Sequence, residues 1–222
     1  MYKRQAKSIV GEEAVKERSY IQAHGSSTPQ NRVTESLIFD KVARAFDIES
    51  WPVTAVKAFV GHPLGPASGD QLASTLGTFS DGILPGIKTT KKIASDVFNE
   101  KLDIVLEDQK VDIDVAFLNS KGFGGNNATA TVLSPKVVES MLVKRYGESE
   151  YLAYTQKREA VRAQANRYDE LAVQGDLQVI YNFGQGIIDD SEIDITQDAI
   201  SLAGFDHAVD LNIENPYKDM VS

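Results

Sequence analysis

Residues 20–29 read Tyr-Ile-Gln-Ala-His-Gly-Ser-Ser-Thr-Pro, an apolar run followed by a histidine and a loop of small residues. The run Tyr20–Ala23 predicts a short strand. The loop behind it predicts a place where a ligand can approach the backbone, because small side chains leave room there. His24 opens this loop. An imidazole there can donate a hydrogen bond to a carbonyl oxygen or exchange a proton near neutral pH.

A second histidine has a similar setting. The stretch Lys57-Ala58-Phe59-Val60-Gly61-His62-Pro63-Leu64-Gly65-Pro66-Ala67-Ser68-Gly69 follows a predicted strand at Pro52–Val56, which ends at Lys57. In open α/β sheets, ligand sites gather at the carboxyl ends of strands. We therefore expect His24 and His62 to lie at one edge of a sheet.

A third segment is rich in glycine and asparagine, Asn119-Ser120-Lys121-Gly122-Phe123-Gly124-Gly125-Asn126-Asn127. It separates a predicted strand at Val115–Leu118 from an antiparallel partner at Ala128–Leu133. A nucleotide-binding loop is excluded, because the third glycine of that pattern would fall at Asn127 and a strand follows instead of a helix.

The remaining elements follow from apolar spacing and from residues that begin or end helices. Two short helical pieces split at Gly11 are predicted first, and a helix around Leu37–Phe46 follows, with Asn31 or Thr34 as its N-cap. The next predicted helix carries Leu72, Leu76 and Phe79 on one face. Two further helices are predicted, one from Ser134-Pro135 to Gly147 and one from about Glu150 to Ala172. Strand-like runs follow at Leu177–Tyr181 and Ala208–Ile213.

Taken together, the three motifs resemble the β-ketoacyl synthases of the thiolase superfamily, over roughly Tyr20 to Pro135. That family carries, in this order, a His-Gly-Thr-Gly-Thr-Pro block, a lysine shortly before a Gly-His pair, and a Gly-Phe-Gly-Gly-x-Asn loop. The resemblance implies an α/β fold for residues 1–133, namely the C-terminal half of a thiolase-like layered αβαβα fold with a mixed sheet flanked by helices. Residues 134–222 then form an α+β C-terminal extension, which resembles the tails of a long bacterial subgroup.

The resemblance also implies the chemistry, a decarboxylative Claisen condensation of malonyl-carrier protein with an acyl primer in fatty acid biosynthesis. His24 and His62 would hold the thioester carbonyl while negative charge develops on its oxygen. Phe123 would be the gating phenylalanine, whose backbone N–H completes an oxyanion hole.

Supporting roles follow for four more residues. Lys57 resembles the family lysine that supports one histidine, and we expect Glu35 to balance its charge, with Asp70 as a substitute. Ser26 and Thr28 fall where the family binds the phosphopantetheine arm. Ser26 and Thr28 could equally cap the helix that follows, and the two roles are compatible.

Three positions depart from the family pattern. Gln71 stands where the family commonly has a glutamate, Arg32 where it has an aspartate, and Lys121 where it has another phenylalanine. These departures bear on the network around Lys57 more than on the family resemblance.

The chain has no cysteine, whereas ketosynthases attack the acyl thioester with one. The resemblance therefore implies an acyltransferase that is incomplete and inactive as this chain alone, with its nucleophile on an absent N-terminal half. A non-catalytic ketosynthase-like partner subunit and an interaction module are the alternatives. The expected partners are acyl carrier protein, the cysteine-bearing half and a second copy in a dimer. No cofactor is expected beyond the phosphopantetheine that carries the substrates.

Composition bounds the remaining possibilities. The 222 residues, 42% hydrophobic and 25% charged, are typical of a globular chain. A net charge of −9 disfavours a nucleic-acid partner. No apolar run is long enough to cross a bilayer, so we expect a cytoplasmic protein. The acidic run Asp189–Asp194 lacks the central glycine of a calcium loop, which favours a solvated turn.

Overall fold

A five-stranded mixed sheet carries both histidine loops. The structure is a computed structural model that describes residues 2–177 and 179–216. It divides into two compact units, Met1–Thr155 and Gln156–Ser222. The predicted domain boundary at residue 133 concerns where the family domain ends, and it stays a prediction.

The sheet has the order β4-β2-β1-β6-β7. Its strands are β1 (Ser19–Gln22), β2 (Trp51–Thr54), β4 (Leu102–Ile104), β6 (Val115–Lys121) and β7 (Asn127–Leu133), while β3 (Ile83–Leu84) and β5 (Gln109–Lys110) form a separate pair. β1 lies in the middle and runs parallel to β2 and β6. β7 returns antiparallel to β6, in the register Phe117 opposite Thr131. The predicted mixed sheet is confirmed.

Side chains on the two faces of the sheet enter two separate cores. Ile21, Val53 and Phe117 belong to one core, whereas Tyr20, Ala116 and Leu118 belong to the other. The central strands are buried on both faces, which explains their nearly continuous apolar sequence.

The helices confirm most of the expected positions. They are α1 (Tyr2–Val10), α2 (Glu12–Glu17), α3 (Pro29–Ala45), α4 (Lys57–Val60), α5 (Ala67–Asp81), α6 (Pro135–Tyr146) and α7 (Glu148–Val173). The predicted N-caps at Asn31 and Thr34 are wrong, because α3 begins at Pro29 with Thr28 as N-cap. Proline is favoured at a first helical position, since its missing N–H is not needed there.

Lys57 does not end a strand. β2 stops at Thr54, and Lys57 is the first residue of the short helix α4. Lys57 is nevertheless buried, with only 7% of its surface exposed.

The predicted helix with Leu72, Leu76 and Phe79 on one face is α5, and most of its buried residues are polar. Gln71, Thr75 and Thr78 are buried, whereas Leu72 is 39% and Leu76 53% exposed. Thr75 Oγ1 accepts a hydrogen bond of 2.8 Å from the Tyr20 hydroxyl. A polar seam on α5 thus packs against the sheet, whereas Leu72 and Leu76 are exposed and Phe79 packs against the second core.

The second unit contains the end of α7 and a three-stranded antiparallel sheet in the order β10-β9-β8. Its strands are β8 (Ile193–Ile195), β9 (Ala199–Leu202) and β10 (Val209–Asp210). The strand predicted at Leu177–Tyr181 is wrong for Leu177 and for Val179–Tyr181, which are not in a strand, and Gln178 lies outside the described residues. Asp189 caps a short 3-10 turn with Glu192, so the acidic run begins as a capped turn and its last two residues, Ile193 and Asp194, belong to β8.

No helix among residues 2–177 and 179–216 combines the length and the apolar character needed to cross a membrane.

Candidate functional site

The imidazoles of His24 and His62 meet at the carboxyl edge of the sheet. Their ring centroids are 4.9 Å apart and their planes are inclined by 84°. His24 directly follows the loop end of β1, whereas His62 comes after α4. The fold therefore brings together two histidines that are separated in the sequence by α3, β2 and α4.

The neighbours of His24 determine which of its two ring nitrogens carries the proton. The Lys121 backbone N–H donates to His24 Nδ1 at 3.2 Å, and Lys57 Nζ lies 3.4 Å from the same nitrogen. A backbone N–H is always a donor, so Nδ1 acts as the acceptor and we assign the proton of the neutral ring to Nε2. Burial and the ammonium of Lys57 hold the pKa of His24 below its usual value, which favours the neutral ring.

His62 is held in the same way by its own loop. The Leu64 backbone N–H donates to His62 Nδ1 at 3.3 Å, so Nδ1 is an acceptor and we assign the N–H of this ring to Nε2. Leu64 has φ of 59°, a left-handed conformation that is rare for a bulky residue. Ser27, in the loop after His24, has φ of 58°. Strained backbone of this kind clusters at functional sites.

Glu35 organises the loop that carries His24. Its carboxylate accepts hydrogen bonds from the backbone N–H of His24 at 2.7 Å and of Gly25 at 3.1 Å. The side-chain amides of Asn31 and Asn119 donate to it at 3.0 and 2.6 Å. Four donors thus surround one buried carboxylate and connect α3, the loop after β1 and the end of β6.

Lys57 forms no ion pair within 4.0 Å among the described residues, and its contact is with His24. Burial lowers the pKa of Lys57, while the more distant carboxylates of Glu35 and Asp70 raise it. The expected balance between Glu35 and Lys57 is therefore an interaction through space, and the carboxylate's hydrogen bonds go elsewhere.

Gln71, one of the departures from the family pattern, lies at the centre of the strand ends. It is fully buried, and its Nε2 lies 3.2, 2.7 and 2.9 Å from the carbonyl oxygens of Gln22, Ala23 and Asn119. These carbonyls precede His24 on β1 and Lys121 on β6. The amide group thus ties together the two strands that position His24.

Sequence reasoning did not identify Asn119 and Asn31 as members of the site. Asn119 donates to Glu35 and accepts from the hydroxyl of Thr129 at 3.1 Å. An asparagine at the end of a buried strand was the available signal, because a buried amide needs partners. A second departure from the family pattern, Arg32, makes a bidentate ion pair with Asp96, both bonds being 2.8 Å.

The remaining candidate residues are placed around this centre. Ser26 lines a cavity of about 490 Å³ that also contacts Lys57 and His62. Thr28 is the N-cap residue of α3, but its side chain makes no capping hydrogen bond. Phe123 is 89% exposed, in a loop whose following glycines, Gly124 and Gly125, have φ of 74° and 80°.

Two N–H donors that converge on one point can stabilise negative charge on an oxygen atom. No group of three or more acidic or histidine side chains within residues 2–177 and 179–216 is arranged to hold a metal ion. The roles of the individual residues stay predictions.

Some known proteins resemble only part of this chain, and one resembles nearly all of it. Residues 6–90 match the family described as the β-ketoacyl synthase C-terminal domain. The β-ketoacyl-[acyl-carrier-protein] synthase FabY of Pseudomonas aeruginosa is 52% identical over 218 residues, which are 97% of this chain and 34% of that protein. The 3-oxoacyl-[acyl-carrier-protein] synthase 2 of Synechocystis is 34% identical over 114 residues, or 50% of this chain and 26% of that protein.

The crystal structure of the noncanonical ketosynthase FabY from P. aeruginosa superimposes with a TM-score of 0.87 at 52% identity, covering 99% of this chain and 35% of that one. The chain therefore spans about a third of the length of FabY. The likeness extends through the extension as well as the histidine-bearing sheet, which confirms the expected thiolase-like fold.

Proposed function

The chain belongs to the β-ketoacyl synthase family, and we propose that it supplies the carbonyl-binding part of a site for decarboxylative condensation. The observation that carries this proposal is the pair of imidazoles 4.9 Å apart, each with Nδ1 occupied by a backbone N–H. Both rings then have a proton on Nε2 to donate to one oxygen atom.

In the proposed reaction, the Nε2–H groups of His24 and His62 bind the thioester carbonyl of a malonyl group. The bond between the α-carbon and the carboxylate breaks, carbon dioxide leaves, and the electron pair forms an enolate whose oxygen takes the charge. The two donors stabilise this oxygen more strongly than the ground-state carbonyl, so they lower the barrier. The enolate carbon then attacks an acyl thioester and expels a thiolate.

The thiolate belongs to a cysteine outside these 222 residues, since the sequence has none. The exposed face of α5 supports the proposal that another segment covers this helix, because Leu72 and Leu76 point away from the sheet that α5 packs on. Phe59 and Val60 of α4 are 53% and 58% exposed as well. Leu72 and Leu76 are one helical turn apart, and neighbouring exposed apolar side chains of this kind are typical of an interface.

The finer features of the proposal come from the family. The complete enzyme acts in fatty acid biosynthesis as a cytoplasmic homodimer, takes its malonyl group from acyl carrier protein, and needs no metal or nucleotide cofactor. Within it, Lys57 and Glu35 position His24, Phe123 gates the site, and Ser26 and Thr28 contact the phosphopantetheine arm. The names of the relatives, which are acyl-carrier-protein synthases, support the choice of partner.

The test is reconstitution. The chain is mixed with a separately produced cysteine-bearing half of a FabY-like synthase, and release of carbon dioxide from malonyl-carrier protein is measured with a primer present. We expect activity only in the mixture, and a loss of about 100-fold or more in His24→Ala or His62→Ala. Lys41→Gln, a change at an exposed residue of α3, is the control.

Two results would contradict the proposal. Condensation by the pure chain would mean that no external cysteine is needed. Full activity of both histidine variants in the mixture would show that the imidazoles take no part. Co-purification with an intact, active ketosynthase in place of a complementary half would favour the non-catalytic partner subunit.

A further inference from the structure

The second unit exposes many apolar side chains and has no core of its own. None of its residues within 156–177 and 179–216 is buried. More than half of the surface is exposed for six of its large apolar side chains, namely Ile180, Tyr181, Phe183, Ile195, Phe205 and Ile213. Apolar side chains exposed in this number on one compact unit are typical of a surface that another polypeptide covers.

The backbone of the second unit is nevertheless regular. Its strands pair in a defined register, with Ile193 opposite Leu202 and Val209 opposite Ile200. A three-stranded sheet is stable when one of its faces packs against an apolar surface, and the contacts within this unit bury no described side chain. The crystal structure of FabY superimposes on 99% of this chain, so the unit keeps its form in a much longer protein. We therefore expect packing against another polypeptide to stabilise it.

Charge narrows the chemistry of the covering polypeptide. Residues 168–217 contain eleven aspartates and glutamates and no lysine or arginine. Residues 1–155, in contrast, contain 18 basic and 19 acidic residues, so most of the net charge of −9 belongs to the second unit. A second copy of this unit would bring the same carboxylates and be repelled. The carboxylates favour a surface that carries lysine and arginine beside its apolar side chains.

The lengths of the relatives indicate which polypeptide this is. The 218 matched residues are 34% of FabY, which makes its length about 640 residues and leaves about 420 outside the match. The 114 matched residues of the Synechocystis synthase are 26% of it, which makes its length about 440 and leaves about 320. Outside the match, FabY is thus longer than this shorter synthase by about 100 residues. FabY also has a counterpart of the second unit, whereas the shorter synthase matches only half of this chain.

We propose that the second unit is the docking surface for these additional residues of a FabY-like synthase, which meet it with an apolar and basic face. Two parts that occur together in the longer protein then cover each other's exposed apolar surface. The inference goes beyond the proposed function, because His24 and His62 lie in the first unit and the cysteine-bearing half would cover that unit.

A photo-crosslinker on a single cysteine tests what lies on this surface. The chain has no cysteine of its own, so the intact 222-residue chain with Phe183→Cys can be labelled selectively with benzophenone maleimide. It is mixed with the separately produced part of FabY outside the match, which we call the FabY remainder, and crosslinked peptides are identified by mass spectrometry. We expect crosslinks from position 183 to residues of FabY that the shorter synthase lacks. Leu72→Cys, on the exposed face of α5, is the matched control and should crosslink to residues that both synthases have.

The affinity of the complex provides a second measurement. Phe183→Ser should weaken binding of the FabY remainder about tenfold in isothermal titration calorimetry, because an exposed aromatic ring that becomes buried in an interface contributes strongly to binding. Ile9→Ser changes an exposed apolar side chain of α1 in the first unit, and it should leave the affinity nearly unchanged.

Four results overturn the inference. Crosslinks from position 183 to residues that both synthases have would mean that the cysteine-bearing half covers the second unit. Crosslinks to another copy of the chain would mean that the unit mediates self-association. The absence of any crosslink from position 183, or an unchanged affinity in Phe183→Ser, would mean that nothing docks there. The proposed function is judged separately, by condensation in the reconstituted mixture, and it does not depend on these results.

Discussion

His24 illustrates what a motif predicts and what only coordinates add. The small-residue loop predicted its place at the end of a strand, and the structure has it there. The partner that fixes its tautomer is the backbone N–H of Lys121, 97 residues away in sequence. A backbone group carries no residue-type signal, so the sequence could not identify it.

At the residue scale, Lys57→Met should raise the pKa of His24. The ammonium of Lys57 lies 3.4 Å from Nδ1 and opposes a second positive charge on the ring, while methionine keeps the burial. The pKa is measured by NMR titration of the imidazole signals. Lys101→Met is the control, since Lys101 pairs with Glu49 and is not among the charges acting on His24. An unchanged or lower pKa in Lys57→Met would contradict the assignment.

The same shift has a consequence for stability. The folded-state pKa of His24 lies below the unfolded value, so the unfolded chain binds more protons as the pH falls through and below about 6.5. The contribution of His24 to stability is therefore present above this pH and is lost as the pH falls. In Lys57→Met this loss should be smaller, which urea unfolding between about pH 7 and about pH 5 would reveal.

Glu35→Gln should destabilise the protein by about 3 kcal/mol, because an amide nitrogen would replace one acceptor among four donors in a buried position. Urea unfolding followed by the fluorescence of Trp51, the single tryptophan and 2% exposed, measures the change. Glu49→Gln should leave the free energy of unfolding nearly unchanged, because Glu49 makes an exposed ion pair. Equal effects of the two changes would mean that the four hydrogen bonds do not stabilise the loop.

At the scale of elements, apolar runs predicted β1, β2, β6 and β7. They did not predict β3, β4 and β5, because strands of two or three residues are too short to show a period. At α5 the apolar spacing predicted the helix but not its buried face, since Leu72 and Leu76 are exposed while Phe79 packs against the second core. Gln71, Ser74 and Thr75 make the contacts to the strands by hydrogen bonds. Polar residues carry no hydrophobic period, so a sequence pattern cannot reveal that they are buried.

The loop between β1 and α3 depends on glycine at its first turn. Gly25 has φ of 58°, and a Cβ atom there would lie 2.4 Å from the Cβ of Ala55. Gly25→Ala should therefore cost about 3 kcal/mol, the sum of left-handed strain and a clash with the loop that follows β2. Gly11→Ala is the matched control, because Gly11 has φ of 88° and open space around it, so strain alone should cost about 1 kcal/mol. Similar losses in the two variants would show that the loops are not in close contact.

At the scale of the whole molecule, the packed core lies in the first unit. The first hydrophobic cluster contains residues from Ala6 to Leu133, and the second contains residues from Tyr20 to Val132. None of the described residues after Ser134 is buried. The sequence predicted α6 and α7 well, because their capping residues and charged faces are local features. The sequence could not predict at which residue the cooperatively folded part of the chain ends, since that depends on contacts between distant segments.

A deletion series tests where the cooperative fold ends. A fragment ending at Gly147 keeps every buried residue of the described chain, so its urea midpoint, read from Trp51, should equal that of the full chain. A fragment ending at Leu133 removes the Ser134 N–H that donates to the Asp114 carbonyl at 2.9 Å, and the ion pair between Lys136 and Asp114. Asp114 is buried and also binds Arg18, so this fragment should unfold at lower urea. Equal midpoints for the two fragments would support the family boundary at residue 133 as the structural boundary, whereas an unfolded fragment ending at Gly147 would mean that the extension is needed for the core to form.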